Sequence, residues 1–238
     1  RGVPGLTWEL LSGQTSYIRN TVGILPNLLN TLYIILVAMV VVLPLGVGAA
    51  IYLTEYAASG RLVRIIEFAA ETLTGIPSII FGLVGMMLFV QKLGLQAGIL
   101  AGSLTLVMMI LPTIIRTTQE SLKTVPQSYR EGALALGAGK WHMVRTVVLP
   151  GAVDGIVTGC ILAIGRIVGE TAALIFTAGT FSGVAAGVME SGRTLAVHMY
   201  CLLNEGLHRS EAYATAVVLL VMVIGINALS GAAAKRIA

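Results

Sequence analysis

Apolar residues in this chain run in long spans rather than in a period of 2 or 3.6. A half-buried strand or surface helix of a soluble domain would alternate apolar with polar positions. Here five stretches are close to the roughly 20 apolar residues that a helix needs to cross a bilayer core. Positions 28–53 carry no charge and hold Pro44 near the middle. Positions 72–90 are glycine-rich with Pro77 near the start, and positions 98–115 end just after Pro112. Positions 155–178 are apolar apart from Arg166 and Glu170, and positions 213–230 include Gly225 and Asn227. The pattern predicts an all-α polytopic membrane protein with five transmembrane helices. Positions 1–27, with Trp8, Tyr17 and scattered Gly, Pro, Ser and Thr, read as an extracytoplasmic N-terminal segment. They form neither a signal peptide nor a span. Positions 28–238 read as one transmembrane domain.

Composition agrees. Of the 238 residues 56% are hydrophobic and 11% charged, where soluble domains average about 25% charged. Mean hydropathy is +0.91. A soluble globule lacks the charge to cover its surface at these values, and disorder requires the opposite balance. Cys160 lies in a span and Cys201 in a polar stretch, so no disulfide framework is visible.

The net charge of +4 is explained by loop lysines and arginines on the cytoplasmic side rather than by nucleic acid. Arg116, Lys123, Arg130, Lys140 and Arg145 make positions 116–150 the strongest basic cluster, which places that connection in the cytoplasm. Alternation of the spans then puts Arg61, Arg64, Lys235 and Arg236 inside, and Arg1, Arg19, Lys92, Arg193 and Arg209 outside. Residue 1 falls outside, so a cytoplasmic N-terminus needs a further helix upstream. The expectation is a six-helix protein whose first helix is missing from this sequence.

The connection 116–150 is too long for a turn. Pro126 can open a helix with Tyr129, Ala133 and Leu136 on one face, and Gly137 can end it in the left-handed conformation. A second short helix follows over 140–148, and Pro150 re-enters the membrane. The expected product is a helical hairpin beneath the bilayer.

The run Glu131-Gly132-Ala133-Leu134-Ala135-Leu136-Gly137, nine residues, then Val147-Val148-Leu149-Pro150 resembles the EAA signature of ABC-importer permeases. Gly132 replaces the first Ala and Val147 the Ile, with the spacing intact. The resemblance implies the type I ABC-importer permease fold. It also implies a coupling hairpin that docks on a separate ATPase subunit through Glu131, Gly132, Ala133, Gly137, Leu149 and Pro150. No P-loop is present: Ala138 follows Gly137 where a Walker lysine would stand, and Trp141 follows Lys140. ATP and magnesium are therefore expected in a partner ATPase, with no cofactor and no catalytic residue in this chain.

Arg166 and Glu170 lie four residues apart inside a predicted span and therefore share one helix face. A charge at mid-bilayer costs about 2.5–3.5 kcal/mol on insertion scales, so the pair should face protein or water. One reading is an internal ion pair that fixes helix packing; the other is a substrate path. Arg116, after Pro112-Thr113-Ile114-Ile115, adds a second arginine, and guanidinium forks suit oxyanions. Gly151, Gly155 and Gly159, like Gly165 and Gly169, repeat at the four-residue spacing that lets helices approach closely. Gly75-Ile76-Pro77-Ser78 marks a broken or kinked helix start.

Three strings go further: Ala50-Ile51-Tyr52-Leu53-Thr54-Glu55-Tyr56-Ala57, Glu71-Thr72-Leu73-Thr74-Gly75-Ile76-Pro77-Ser78-Ile79-Ile80-Phe81-Gly82, and Gly165-Arg166-Ile167-Val168-Gly169-Glu170-Thr171-Ala172-Ala173-Leu174. They are similar to the PstA-type membrane subunit of phosphate ABC importers, from about position 28 onward. That family often has Pro where this chain has Ala173. The resemblance implies a path for inorganic phosphate through Arg116 and Arg166; the charge pattern itself adds Glu170, which tempers Arg166 so that the anion is not held too tightly to leave. The partners it implies are an ATPase dimer, a PstC-type second permease and an extracytoplasmic phosphate-binding protein, in a bacterial or archaeal cytoplasmic membrane. A PstC-type subunit, a permease for another oxyanion, and a stand-alone secondary transporter or channel are the competing readings. His198, Cys201 and His208 lack metal-site spacing.

Overall fold

The computed structural model describes residues 2–16, 21–57, 60–206 and 208–237, with side chains described up to Ala228. The readings made on Arg1, Tyr17 and Arg19, and on the side chains of Lys235 and Arg236, lie outside these.

The N-terminal segment is more ordered than its composition suggests. Helix α1 (Trp8–Ser12) is capped by Thr7, whose hydroxyl accepts from Leu10 N–H at 3.2 Å. Strands β1 (Gln14–Ser16) and β2 (Thr21–Ile24) then pair antiparallel, with Gln14 opposite Ile24. This small hairpin departs from the all-α expectation. It forms because Gly23 has no side chain: a Cβ there would sit 2.5 Å from the backbone nitrogen of Gln14. Thr15 adds a hydroxyl bond to the Gly23 carbonyl at 2.8 Å.

Helix α2 (Leu25–Ile51) continues as a π-helical turn over Tyr52–Tyr56. Helix α3 (Arg61–Thr74) ends at Gly75, and α4 (Ser78–Gly85) restarts after Pro77 and runs on in a π segment, Met86–Lys92. The predicted break at Gly75–Pro77 is therefore real. The second apolar helix, however, starts only at Ser78, because Thr72 to Thr74 belong to α3. Helix α5 (Ile99–Thr124) extends well beyond the apolar window, so Arg116, just past the end of the apolar stretch, is still held on a continuous helix.

The connection that follows α5 is a helical hairpin as expected. It comprises α6 (Gln127–Ala135), α7 (Lys140–Met143), a π segment (Val144–Val148) and α8 (Leu149–Gly151). Gly137 adopts φ +84°, the left-handed stop foreseen for it. Helices α9 (Val153–Gly169), α10 (Ala172–Thr177), α11 (Leu195–Glu205) and α12 (Arg209–Ile237) complete the chain. Among the described residues three helices are long and apolar enough to span a bilayer, or five when two bent pairs each count once. The bent pairs are Arg61–Thr74 with Ser78–Lys92, and Lys140–Gly151 with Val153–Gly169.

The chain divides into two compact units, residues 1–40, 76–109 and 164–226, and residues 41–75, 110–163 and 227–238. In the first, Leu10 and Ile24 of the N-terminal segment share an apolar core with Leu195 and Ala214. Helices α4 and α10 touch at the backbone, where a Cβ on Gly82 would lie 2.8 Å from the Ala173 Cα. Buried Asn30 clasps the connection between α10 and α11: its amide donates to the carbonyls of Gly183 (2.9 Å) and Arg193 (3.4 Å), and its oxygen accepts from Ala185 N–H (3.0 Å).

In the second unit Ala50, Ile51, Leu122, Val125, Met143, Val144, Val148 and Ala152 form one apolar core. Gly151, Gly155 and Gly159 face α5 and the residue after it, within the same chain. Cβ atoms built there would stand 3.2 Å from Val125 Cγ2, 2.6 Å from Ser121 Cβ and 3.1 Å from Thr117 Cβ. The stripe thus seats α9 against α5, as small residues do where lipid gives helices no hydrophobic drive to associate. Gly169, by contrast, faces open space.

Candidate functional site

The span expected over 155–178 is interrupted, and this corrects the reading of Arg166 and Glu170 as neighbours on one helical face. Helix α9 stops at Gly169 and α10 restarts at Ala172. The Glu170 carboxylate accepts the Ala173 N–H at 3.1 Å, satisfying a donor that a helix start leaves open. Local capping therefore outcompetes a continuous helix. Glu170 is buried at 8% exposure, whereas Arg166 is exposed on the single chain. No ion pair joins them among the described residues. Both belong to the first unit; Arg116 belongs to the second.

Arg116 projects into an open groove of about 230 Å³ between α3 and α5. Its guanidinium is already engaged, by Glu71 at 3.2 Å and by Glu120, one turn along α5, at 3.3 Å. Gln119 donates to Glu67 at 3.2 Å in the same groove. Glu67, Glu71 and Glu120 outnumber Arg116 and Lys123 there. Helix α3 turns its carboxylates toward this groove, while Leu62, Ile65 and Phe68 are exposed at 65%, 66% and 71%. The charge balance of α3 was invisible in a hydropathy window.

The hairpin residues divide into anchors and surface. Ala133 and Leu149 pack against the apolar core of the second unit. Glu131, Gly132, Gly137 and Pro150 are exposed, and Cβ atoms on Gly132 and Gly137 would meet nothing within 4 Å. Tyr129, Leu134, Leu136 and Trp141 present 49–91% of their surface. The face Tyr129–Ala133–Leu136 is thus split, with only Ala133 turned inward.

Sequence reading missed the residues that hold this hairpin. Arg130 forms a buried ion pair with Glu55, Nη2 to Oε1 at 2.9 Å, with side chains only 11% and 6% exposed. The same guanidinium donates to the carbonyls of Leu122 (2.7 Å) and Val125. Lys140 lies 5.1 Å from the ring centre of Tyr56. The available signal was Glu55, a lone carboxylate at the end of an apolar span with no reason to be there unless paired.

His198, which lacks metal-site spacing in sequence, is fully buried in α11, with both ring nitrogens lacking a hydrogen-bond partner. Burial, and secondarily the nearby charge of Arg193, lower its pKa to about 3. Arg193 itself, counted in sequence as an outer-loop charge, is buried at 2% exposure. Among the described residues no cluster of three or more His, Cys, Asp or Glu could hold a metal.

Helix order, the broken second span and the exposed hairpin define the type I ABC-importer permease fold. The family model "Binding-protein-dependent transport system inner membrane component" matches residues 42–238, and the chain belongs to that family. It is 36% identical over 219 residues to the probable ABC transporter permease protein YqgI of Bacillus subtilis (strain 168), covering 87% of this chain and 74% of that one. It is 35% identical to the phosphate transport system permease protein PstA of Mycobacterium leprae (strain TN), over 91% and 71% of the two chains. Among solved structures, the inward-facing MetNI methionine ABC transporter superposes with a TM-score of 0.73 at 22% identity over the full length of both chains. A bacterial alginate ABC transporter gives 0.66 at 14%, covering 89% and 78%. These two similarities concern the fold.

Proposed function

We propose that this chain is the PstA-type permease subunit of an ATP-driven importer of inorganic phosphate, forming half of its pathway. The observation that carries this reading is the identity of about one third, over most of the chain, to permeases named for phosphate transport. In this reading a PstC-type subunit supplies the other half, and an extracytoplasmic binding protein delivers phosphate. Two ATPase subunits bind ATP and magnesium on the cytoplasmic side of a bacterial or archaeal inner membrane. The exposed surface of Tyr129, Glu131, Gly132, Leu134 and Leu136 enters a groove on an ATPase, and the nucleotide cycle drives alternating access.

Arg116 and Arg166 are the pathway cations, and Glu170 shapes the path by ending α9. The engagement of Arg116 by two carboxylates supports a role in release: an anion arriving there competes with Glu71 and Glu120 and is not held. The decisive measurement is phosphate uptake into proteoliposomes carrying the chain with its second permease, ATPase and binding protein. ATP-dependent uptake supports the reading; uptake by this chain alone, driven by an ion gradient, would replace it with a secondary transporter.

A further inference from the structure

We propose that Arg130 and Glu55 are positioning residues that make the hairpin one rigid body with the inner ends of α2 and α5, so that it works as a lever and not as a flexible joint. The inference rests on the reading that the hairpin engages an ATPase, and it adds how a displacement there reaches the membrane.

Three contacts carry it, each on different atoms. First, the Arg130 guanidinium joins three elements at once. Nε and Nη2 reach Glu55 Oε1 at 3.2 and 2.9 Å in the π turn that ends α2. Nη1 and Nη2 take the carbonyls of Val125 and Leu122 at the end of α5. Those carbonyls lie at a helix terminus, where lone pairs remain free to accept and a cation suits that end of the helix dipole. Second, Lys140, at the start of α7, sits over the Tyr56 ring of the same π turn. Third, Met143, Val144 and Val148 pack into the core formed with Ala50, Ile51, Leu122 and Val125.

Chemistry distinguishes this arrangement from ordinary packing. An apolar contact can slide by a fraction of a turn at small cost. A guanidinium fork filled by a carboxylate and two carbonyls has one geometry, and it cannot shift without leaving a buried charge unpaired. A buried ion pair is often replaceable by apolar residues without loss of stability, so fixing the geometry is the more specific role for Arg130 and Glu55. Both arms of the hairpin are tied to one turn, Tyr52–Tyr56, which leaves slack at neither end.

The test uses the complete complex in a Cys160→Ser, Cys201→Ser background. Arg130→Lys and Glu55→Gln should keep the ATPase bound but lose phosphate-stimulated ATP hydrolysis, with fewer phosphate ions moved per ATP. In Glu55→Cys with Arg130→Cys, bridging the thiols with a short bifunctional thiol reagent should restore the stimulation that the unbridged variant lacks. Unchanged coupling in Arg130→Lys and Glu55→Gln, or transport that stops on bridging, would overturn the lever. A wild-type chain that retains no ATPase would instead overturn the docking reading, and the lever with it.

Discussion

Arg116 and Glu71 lie 3.2 Å apart across the groove between α3 and α5, so the arginine assigned to the anion path meets a carboxylate before it meets any substrate. Both side chains are more than half exposed, and exposed ion pairs contribute little to stability. Glu71→Gln combined with Glu120→Gln should therefore leave the complex intact. Freed of competitors, Arg116 should hold phosphate longer at the inner mouth. Rapid-filtration assays should show slower release and uptake more sensitive to phosphate on the inner side. Arg116→Gln should abolish uptake with assembly preserved.

For Arg166 and Glu170 the broken helix separates charge from structure. Arg166→Gln should eliminate phosphate uptake while the complex still purifies; normal uptake would remove Arg166 from the path. Glu170→Gln keeps an oxygen that can accept from Ala173 N–H and should melt near wild type. Glu170→Ala removes the cap, a loss of about 0.5–2 kcal/mol at typical helix starts, and should lower the melting temperature of the complex.

Glycines make a paired control. Gly155→Leu drives a side chain into Ser121, whose Cβ would be 2.6 Å from the first added carbon, and should reduce the amount of complex in the membrane. Gly132→Ala meets open space in the middle of α6. It should stabilise the hairpin by about 0.5–1 kcal/mol, while the added methyl reports in ATPase coupling how closely the docking face at Gly132 meets its partner. Thermal melts and hydrolysis assays on both variants distinguish the seated glycine from the free one.

His198 gives a pH signature. Its folded-state pKa of about 3 lies below the ordinary value, so in acid the unfolded chain takes up a proton that the fold refuses. Stability is unaffected above about pH 6.5 and falls by up to about 1.4 kcal/mol per pH unit as pH drops from there toward 3. His198→Phe should flatten that slope. Melting temperatures of wild type and variant between pH 7 and pH 5 check the sign.

Much of this was legible in sequence because hydropathy and glycine punctuation report directly on backbone geometry. The hairpin, the stop at Gly137 and the break at Gly75–Pro77 follow from patterns within a few residues of one another. The interruption at Glu170 does not. A glutamate in an apolar run reads as a helical charge until its carboxylate is seen bonded to the backbone three residues on. Arg130 was hidden for a similar reason. It counted as one more basic residue in a cytoplasmic loop, because its partner Glu55 lies 75 positions away at the end of another span. Pairings of that range leave no periodic trace.

The Asn30 clasp limits where the connection between α10 and α11 can vary. All three of its bonds, to Gly183, Ala185 and Arg193, go to main-chain atoms. The amide thus sets the path of the connection without reading its side chains. Exposed positions on the connection, such as Val184 and Val188, can therefore be exchanged while the loop keeps its course, whereas buried Arg193 and tightly seated Gly192 cannot.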